Sequence, residues 1–546
     1  MAFILVLASG LRLYDLAGTG IFSVDEGRYY LDAVSKSNEW QFASELLAAK
    51  RLERKGAADL VLSEALAEAY PKLGALPPFS PKLGYNYLTA LVMTVTGRTV
   101  IAASILEAVC GVLLVLVLYF YMAHVCGYVP AVLAALFLAC SPYHVYFSRN
   151  GYPQTSSGLF FLLSALCIFF WARGSARGSK YTSLWLAACG ITAGISFWVN
   201  YQAAGALPAI PAMVVFACWI HRGRVGFVRT LIWSGFYIAL GFTVVMLAAE
   251  AMAYPYILLF RMQGMNYPHP TFFELLFPRF GNQASFPWNV SGIALFPFFT
   301  WVFTGWTGVA AAGLACGAGF LLCLRAPADV RRAALLFVIV PLAATLFLFS
   351  FKTMQGARMF TYALPFFCGL LGWTLTSMWQ GKIVTQGLSL AFGMAILVSA
   401  GTGLRDVLAI RSGYPDFIRQ LRAAGQVEAC AAWSSPLESY LMQENLGGGN
   451  IYAYLKEGKT PPRWYISDWQ ELYNFRYPDE AIAVPREAKP ILALNHGINR
   501  LFLLVEAFPS SGSTMENIQW VLDFEIDRAR KILVYDLAES GIRMGP

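Results

Sequence analysis

Residues 18–34 read GTGIFSVDEGRYYLDAV: an acid pair, Asp25 and Glu26, set among aromatic residues directly after an apolar N-terminus. Charged carboxylates are expensive in hydrocarbon, so what surrounds the pair decides how to read it. Of the 546 residues 57% are hydrophobic and 13% charged, and the mean hydropathy is +0.54. So little charge cannot cover so much apolar surface in a soluble globule. The sequence predicts a polytopic α-helical membrane protein.

A bilayer core of about 30 Å needs roughly 20 apolar residues per helix. Runs of that kind fall at 99–123, 129–147, 153–172, 183–200, 204–220, 230–249, 304–324, 333–351, 359–379 and 384–403. An N-terminal run makes about eleven. From Ala2 to Leu16 that first run offers about 22 Å of helix and carries Arg12, which predicts a thinned or shallowly tilted span, or residues upstream. It has no basic leader and no clear cleavage site, so it does not read as a signal peptide.

Short basic turns set the expected orientation. RGSARGSK (173–180), HRGRVGFVR (221–229), RAPADVRR (325–332) and QGK (380–382) alternate along the chain, and the positive-inside rule places them in the cytoplasm. The Asp25/Glu26 loop to about residue 98, the turn near Arg149, the stretch 250–303, the turn near Lys352 and the C-terminal tail are then extracytoplasmic. The expected division is a membrane domain over 1–404, with a first outer loop over about 17–98, and an extracytoplasmic α/β domain over 405–546.

The tail carries 15 basic against 18 acidic residues, so the net +8 of the chain resides in its membrane part and nucleic-acid binding is not implied. Within the tail, helix-like PDFIRQLRAAG and LESYLMQEN alternate with strand-like EACAAWSS, NIYAYL, RWYISDW, RLFLLVEAF and KILVYDL, a pattern of small α/β domains. GGG at 447–449 reads most simply as a helix terminator. Nine of the ten cysteines lie in or beside apolar runs and Cys430 is alone in the tail, so no disulfide is expected there. No metal-site spacing appears.

Three constellations bear on chemistry. Asp25 and Glu26 suit the N-terminus of a helix through EGRYYLDAVSK as caps, but capping accounts for one acid and not for the aromatic and basic residues around it. Arg149, in SPYHVYFSRNGYPQ, stands at the outer end of one apolar run, as an interface anchor or an anion ligand. Lys352 and Arg358, in SFKTMQGARMFTYALPFF, put two cations at one outer turn against the positive-inside bias, which invites an anionic partner. The cluster KRLERK (50–55) and His269 read either as solvated or structural groups or as lipid-phosphate contacts.

Together these residues resemble the GT-C class of polyprenyl-phosphate-sugar glycosyltransferases, which includes the protein O-mannosyltransferases and the lipid A aminoarabinose transferase. The likeness lies in RLYDL…GIFSVDEGRYYLDA, SPKLGYNYLTALVMTVTG, SPYHVYFSR and ARMFTYALPF, across roughly residues 11–403. It implies an enzyme of the outer leaflet that takes a sugar from a polyprenyl-phosphate or pyrophosphate carrier and passes it to a lipid or protein acceptor. Asp25 takes the catalytic acid position in that resemblance, with Glu26 beside it as a catalytic candidate, and Lys82, Arg149, Lys352 and Arg358 are the candidate donor-phosphate ligands. The chemistry suits them: a carboxylate takes the acceptor proton as an oxocarbenium-like centre develops, and a leaving phosphate needs cations.

The chain departs from its class at two places. Gln154 stands where relatives often carry a second acid five residues after the arginine, and Lys82, in SPKLGY, is shifted from the usual basic position. No cofactor is fixed by these residues, and a divalent metal at the donor phosphate stays open. The alternative from another class is a transporter or flippase of a lipid-linked or envelope substrate. Transporters place ionisable groups near the midplane, whereas here the apolar runs hold few, Glu107 and Glu250. The expected place is the inner (cytoplasmic) membrane, with the site and the C-terminal domain on the extracytoplasmic (periplasmic) side.

Overall fold

The computed structural model describes residues 1–22, 25–37, 82–176, 182–262, 291–325, 335–349, 357–423, 430–432, 435–444, 463–468, 489–506, 527 and 530–537. Lys352, KRLERK, His269, NIYAYL and GGG lie outside them.

The apolar runs are helices because helix formation satisfies every backbone polar group within the segment, as a hydrocarbon surrounding requires. Among the described residues eight helices are long and apolar enough to cross a membrane, or nine if the bent pair Tyr128–Cys140 and Pro142–Arg149 is one span. The protein is a multi-pass membrane protein. Two of the expected runs do not make a full span within the described residues. The run 333–351 is a π-helical turn, Leu335–Ile339, leading into a short helix, Val340–Phe349. The run 359–379 is a 3₁₀ segment, Ala357–Tyr362, followed by Leu364–Trp379. The runs 204–220 and 230–249 lie along one helix, Ala209–Met262, so the turn expected at 221–229 is replaced by helix; polar residues carry helical backbone bonds as well as apolar ones do.

The chain forms two compact units: Met1–Asp15, Glu107–Ile410 and Asn499–Phe524 make the first, and Leu16–Leu106, Arg411–Ile498 and Glu525–Pro546 the second. In the first, small residues let helices meet closely. A Cβ on Gly190 would stand 2.0 Å from the Ile238 carbonyl oxygen, and one on Gly241 would stand 2.1 Å from that of Ala187, so each glycine admits the other helix's backbone. Gly305, at φ 69°, bends the helix Ser291–Arg325, a conformation that a side chain disfavours.

The second unit contains a four-stranded sheet. β1 (Cys430–Ala432), β2 (Trp464–Ser467), β3 (Leu492–Asn495) and β4 (Lys531–Asp536) take the order β1-β2-β4-β3, with β1 parallel to β2 and the other pairs antiparallel. Helices Tyr414–Ala423 and Ser435–Gln443 match the expected ones. RLFLLVEAF does not form a strand: Arg500–Glu506 is a helix. Its leucines suit either state, and Asn499 Oδ1, accepting the Phe502 N–H at 3.0 Å, starts the helix as a cap. The core of this unit joins Ile21, Tyr30, Leu31 and Val34 to Tyr414, Phe417, Leu437, Leu441, Ile466 and Val534.

Candidate active site

In the second unit Asp25 is the first residue of helix 25–37 and is half-exposed. Glu26 is buried, and its Oε2 accepts the backbone N–H of Phe22 at 3.0 Å. Glu26 thus holds the incoming turn, while Asp25 stands at the start of the helix. The charge of Glu26 also acts on Tyr440, whose phenol is pushed up chiefly by burial and further by that carboxylate.

One helical turn after Asp25, on the same face, stands Tyr29. The buried Lys82 ammonium hydrogen-bonds the Tyr29 hydroxyl and lies 4.4 Å from its ring centroid. Tyr85 meets Tyr29 edge-on at 5.5 Å. The stripe continues with Asp32, hydrogen-bonded by Asn86 at 3.4 Å, and Lys36, 5.4 Å from the Tyr87 ring centroid. The helix Leu83–Thr96, which Lys82 precedes, thus meets a polar face of helix 25–37.

In the first unit the YHVYFSRNGYPQ motif is a break between helices. Tyr128–Cys140 turns by 57° into Pro142–Arg149, with Pro142 in the first helical turn and Ser141 as the cap, its Oγ accepting the His144 N–H at 3.3 Å. The turn leaves carbonyls of the preceding helix without intrahelical partners. Arg12 meets them, donating to Ala139 O at 3.2 Å and Leu138 O at 3.3 Å, with His144 Nδ1 2.5 Å from its guanidinium. Arg149 returns the arrangement, donating from Nη1 to Leu11 O, Arg12 O and Tyr14 O at 3.0, 3.4 and 2.8 Å. Both arginines are fully buried, and each closes the C-terminus of the helix opposite.

Gln154 opens the helix Gln154–Ala176 and is buried. Its Nε2 donates to Gln202 Oε1 at 3.1 Å. A polar network continues beside it: Asn200 donates to the Tyr362 hydroxyl at 3.0 Å, and that hydroxyl donates to Ser157 Oγ at 2.9 Å. A carboxylate does stand at this helix start, but it belongs to Glu107, whose Oε2 accepts the N–H groups of Thr155 and Ser156 at 2.9 and 3.0 Å. Arg358, in the 3₁₀ segment Ala357–Tyr362, is half-buried with its guanidinium 5.3 Å from the Tyr152 ring centroid. Of the expected residues, the structure brings Lys82 to the Asp25 helix in one unit and places Arg149, Gln154 and Arg358 in the other.

The residues that sequence reasoning missed are Tyr29, legible only as the i+4 neighbour of Asp25, and Glu506, in a run read as strand. Among the described residues no three His, Cys, Asp or Glu side chains converge as metal ligands. A small apolar cavity, lined by Phe137, Tyr143, Phe303, Phe367 and Leu371 among others, lies in the first unit.

The arrangement is similar over most of its length to that of ArnT from Cupriavidus metallidurans. The apo structure matches with a TM-score of 0.53 and 15% identity over 88% of this chain and 95% of that one. The same protein bound to undecaprenyl phosphate matches with a TM-score of 0.53 and 14% identity over the same shares. The archaeal oligosaccharyltransferase AglB from Archaeoglobus fulgidus, in complex with an inhibitory peptide and a dolichol-phosphate, matches at 0.49 and 11% identity over 86% of this chain and 70% of that one. No curated protein matches by sequence. The fold is therefore similar to that of ArnT, and the resemblance carried by the motifs agrees with that likeness. More particularly, residues 80–249 match the model of the dolichyl-phosphate-mannose-protein mannosyltransferase family. The transporter alternative finds no support in these likenesses.

Proposed function

We propose that the enzyme moves a sugar from a polyprenyl-phosphate carrier to a lipid or protein acceptor on the periplasmic face of the inner membrane. The observation that carries the reading is the place of Asp25, half-exposed as the first residue of helix 25–37, with Lys82 brought to the same helix through Tyr29. In this reaction the anomeric carbon–oxygen bond to the carrier phosphate breaks as the acceptor oxygen or nitrogen bonds to that carbon, and Asp25 takes the acceptor proton. The carrier leaves as polyprenyl phosphate. Arg358, Lys82 and Lys352 are the cations we assign to its charge. Arg149, with one guanidinium nitrogen on three carbonyls, is assigned a structural task. The undecaprenyl phosphate held by ArnT supports a lipid carrier, and the apolar cavity has the chemistry of an isoprenoid tail. The basic turn at 380–382, exposed between Leu364–Trp379 and Ile383–Leu408, supports the orientation.

The test begins with mass spectrometry of envelope lipids and proteins in a deletion strain, where the missing sugar names donor and acceptor. Complementation with Asp25→Asn should restore roughly 10⁻² to 10⁻⁴ of the wild-type transfer rate at normal membrane abundance and melting temperature. Full restoration by Asp25→Asn would remove Asp25 from the chemistry.

A further inference from the structure

Glu506 is the feature of the first unit that neither the resemblance nor the proposed chemistry uses. It ends the helix Arg500–Glu506 and is half-buried. Each of its carboxylate oxygens accepts one phenol: Oε1 from Tyr146 at 2.6 Å, and Oε2 from Tyr152. Both tyrosines belong to the break motif YFSRNGY. Tyr152 then presents its ring to the Arg358 guanidinium, 5.3 Å from the centroid. The Arg358 carbonyl accepts from the Thr361 hydroxyl at 2.8 Å, so the backbone of that arginine is tied down independently of its side chain.

The three groups are electronically as well as sterically linked. A phenol donating to a carboxylate makes a charge-assisted hydrogen bond and shifts electron density toward its ring, since successive polar contacts polarise one another. A more electron-rich ring attracts a guanidinium over its face more strongly. Loss of the carboxylate charge therefore weakens the hold on Arg358 even where the ring stays in place. The hydrogen bond also fixes the azimuth of the ring, and with it the plane on which the planar guanidinium can lie.

We infer that Glu506 is a positioning residue for the donor phosphate: through Tyr152 it orients the Arg358 guanidinium, so a segment of the C-terminal tail tunes carrier binding. The inference rests on the assignment of Arg358 to that phosphate. The experiment measures binding of a short-chain polyprenyl phosphate to the full-length protein in detergent, with thermal melting recorded for every variant. Arg358→Ala should weaken binding. Tyr152→Phe, which keeps the ring and both charges but removes the hydrogen bond, and Glu506→Gln, which removes the charge, should each weaken it by roughly 3- to 30-fold. Combining either with Arg358→Ala should add nothing to the loss, because the effect runs through that arginine. If Arg358→Ala leaves affinity unchanged, the phosphate assignment itself falls. If Arg358→Ala weakens binding while Tyr152→Phe and Glu506→Gln bind as wild type, or if their losses persist in the Arg358→Ala background, the role given to Glu506 is overturned and the phosphate assignment stands. Should Glu506→Gln not fold, Tyr152→Phe decides alone.

Discussion

Asp25 and Glu26 are adjacent carboxylates at the start of helix 25–37, the first half-exposed and the second buried. Glu26 turns back onto the Phe22 N–H, which settles a donor that the turn would otherwise bury unpaired. Both acids were visible in the sequence, and so was their aromatic setting. That Glu26 bonds the Phe22 N–H was not, because the bond depends on the path of residues 18–22. His496 shows the same limit more sharply. It is buried edge-on to Tyr414, its Nδ1 accepts the Gly413 N–H at 3.0 Å, and burial pushes its pKa down to about 3. Tyr414 in turn donates to Asp468. A histidine depressed in the folded state costs stability below its unfolded value of about 6.5, because only the unfolded chain then takes the proton. The second unit should therefore lose on the order of 1.4 kcal/mol per pH unit from this group as pH falls from about 6.5 toward 3, and nothing from it above pH 7. Thermal melts of wild type and His496→Gln across pH 7 to 4 check this: the variant should show the shallower slope, and equal slopes would place the acid sensitivity elsewhere.

At the scale of elements, the helix ends explain more of the charged residues than the helix faces do. Arg12 and Arg149 each donate into the carbonyls that end the other's partner helix, and Glu107 accepts at the start of Gln154–Ala176. The signs follow the helix dipole, cations at C-termini and an anion at an N-terminus. In lipid surroundings such ends have no water to turn to. The apolar lengths made the helices legible, but the pairing of Arg12 with a break at residue 141 crosses more than a hundred residues and leaves no periodic signal. Helix Arg500–Glu506 was misread for a related reason: its leucines and valine fit a strand, and its cap at Asn499 was the contrary sign. If Arg149 closes a helix end, Arg149→Ala should lower the melting temperature, because each buried carbonyl left without a donor costs about 1 to 3 kcal/mol. Arg149→Lys should rescue part of the loss, since the three carbonyls meet one nitrogen and an ammonium offers three donors on a shorter stem. Carrier-phosphate affinity per folded molecule should stay near wild type in any Arg149 variant that folds. A large affinity loss in a well-folded Arg149→Lys would return this residue to the phosphate site.

At the scale of the molecule, the segment that bears Asp25 folds with residues some four hundred positions away. Thr19 O accepts the Ser412 N–H at 2.8 Å, Gly27 O accepts from the Ser439 hydroxyl at 3.1 Å, and Gln443 Oε1 accepts the Val100 N–H at 2.8 Å. Tyr30, Leu31 and Val34 share a core with Phe417, Leu437 and Leu441. Composition separated a tail from a membrane part and suggested its α/β character, because those are properties of segments. Which early residues complete its core is a property of pairs, and a single sequence with no repeat does not expose it. The interleaving makes a strong expectation. A chain truncated after Ile410 keeps the apolar helices of the first unit, loses its helix Arg500–Glu506, and leaves the inner face of helix 25–37 without Tyr414, Phe417, Leu437 and Tyr440. An apolar face stripped in this way stays folded poorly and recruits other partners. The truncated enzyme should still insert and accumulate in the membrane, yet lose transfer activity to background. Limited proteolysis should then cut within 16–37, where the full-length protein resists. If the truncated chain instead stays protease-resistant there and keeps transferring sugar, the C-terminal segments are an accessory to a loop that folds without them, and the second unit is not the structural basis of the Asp25 site.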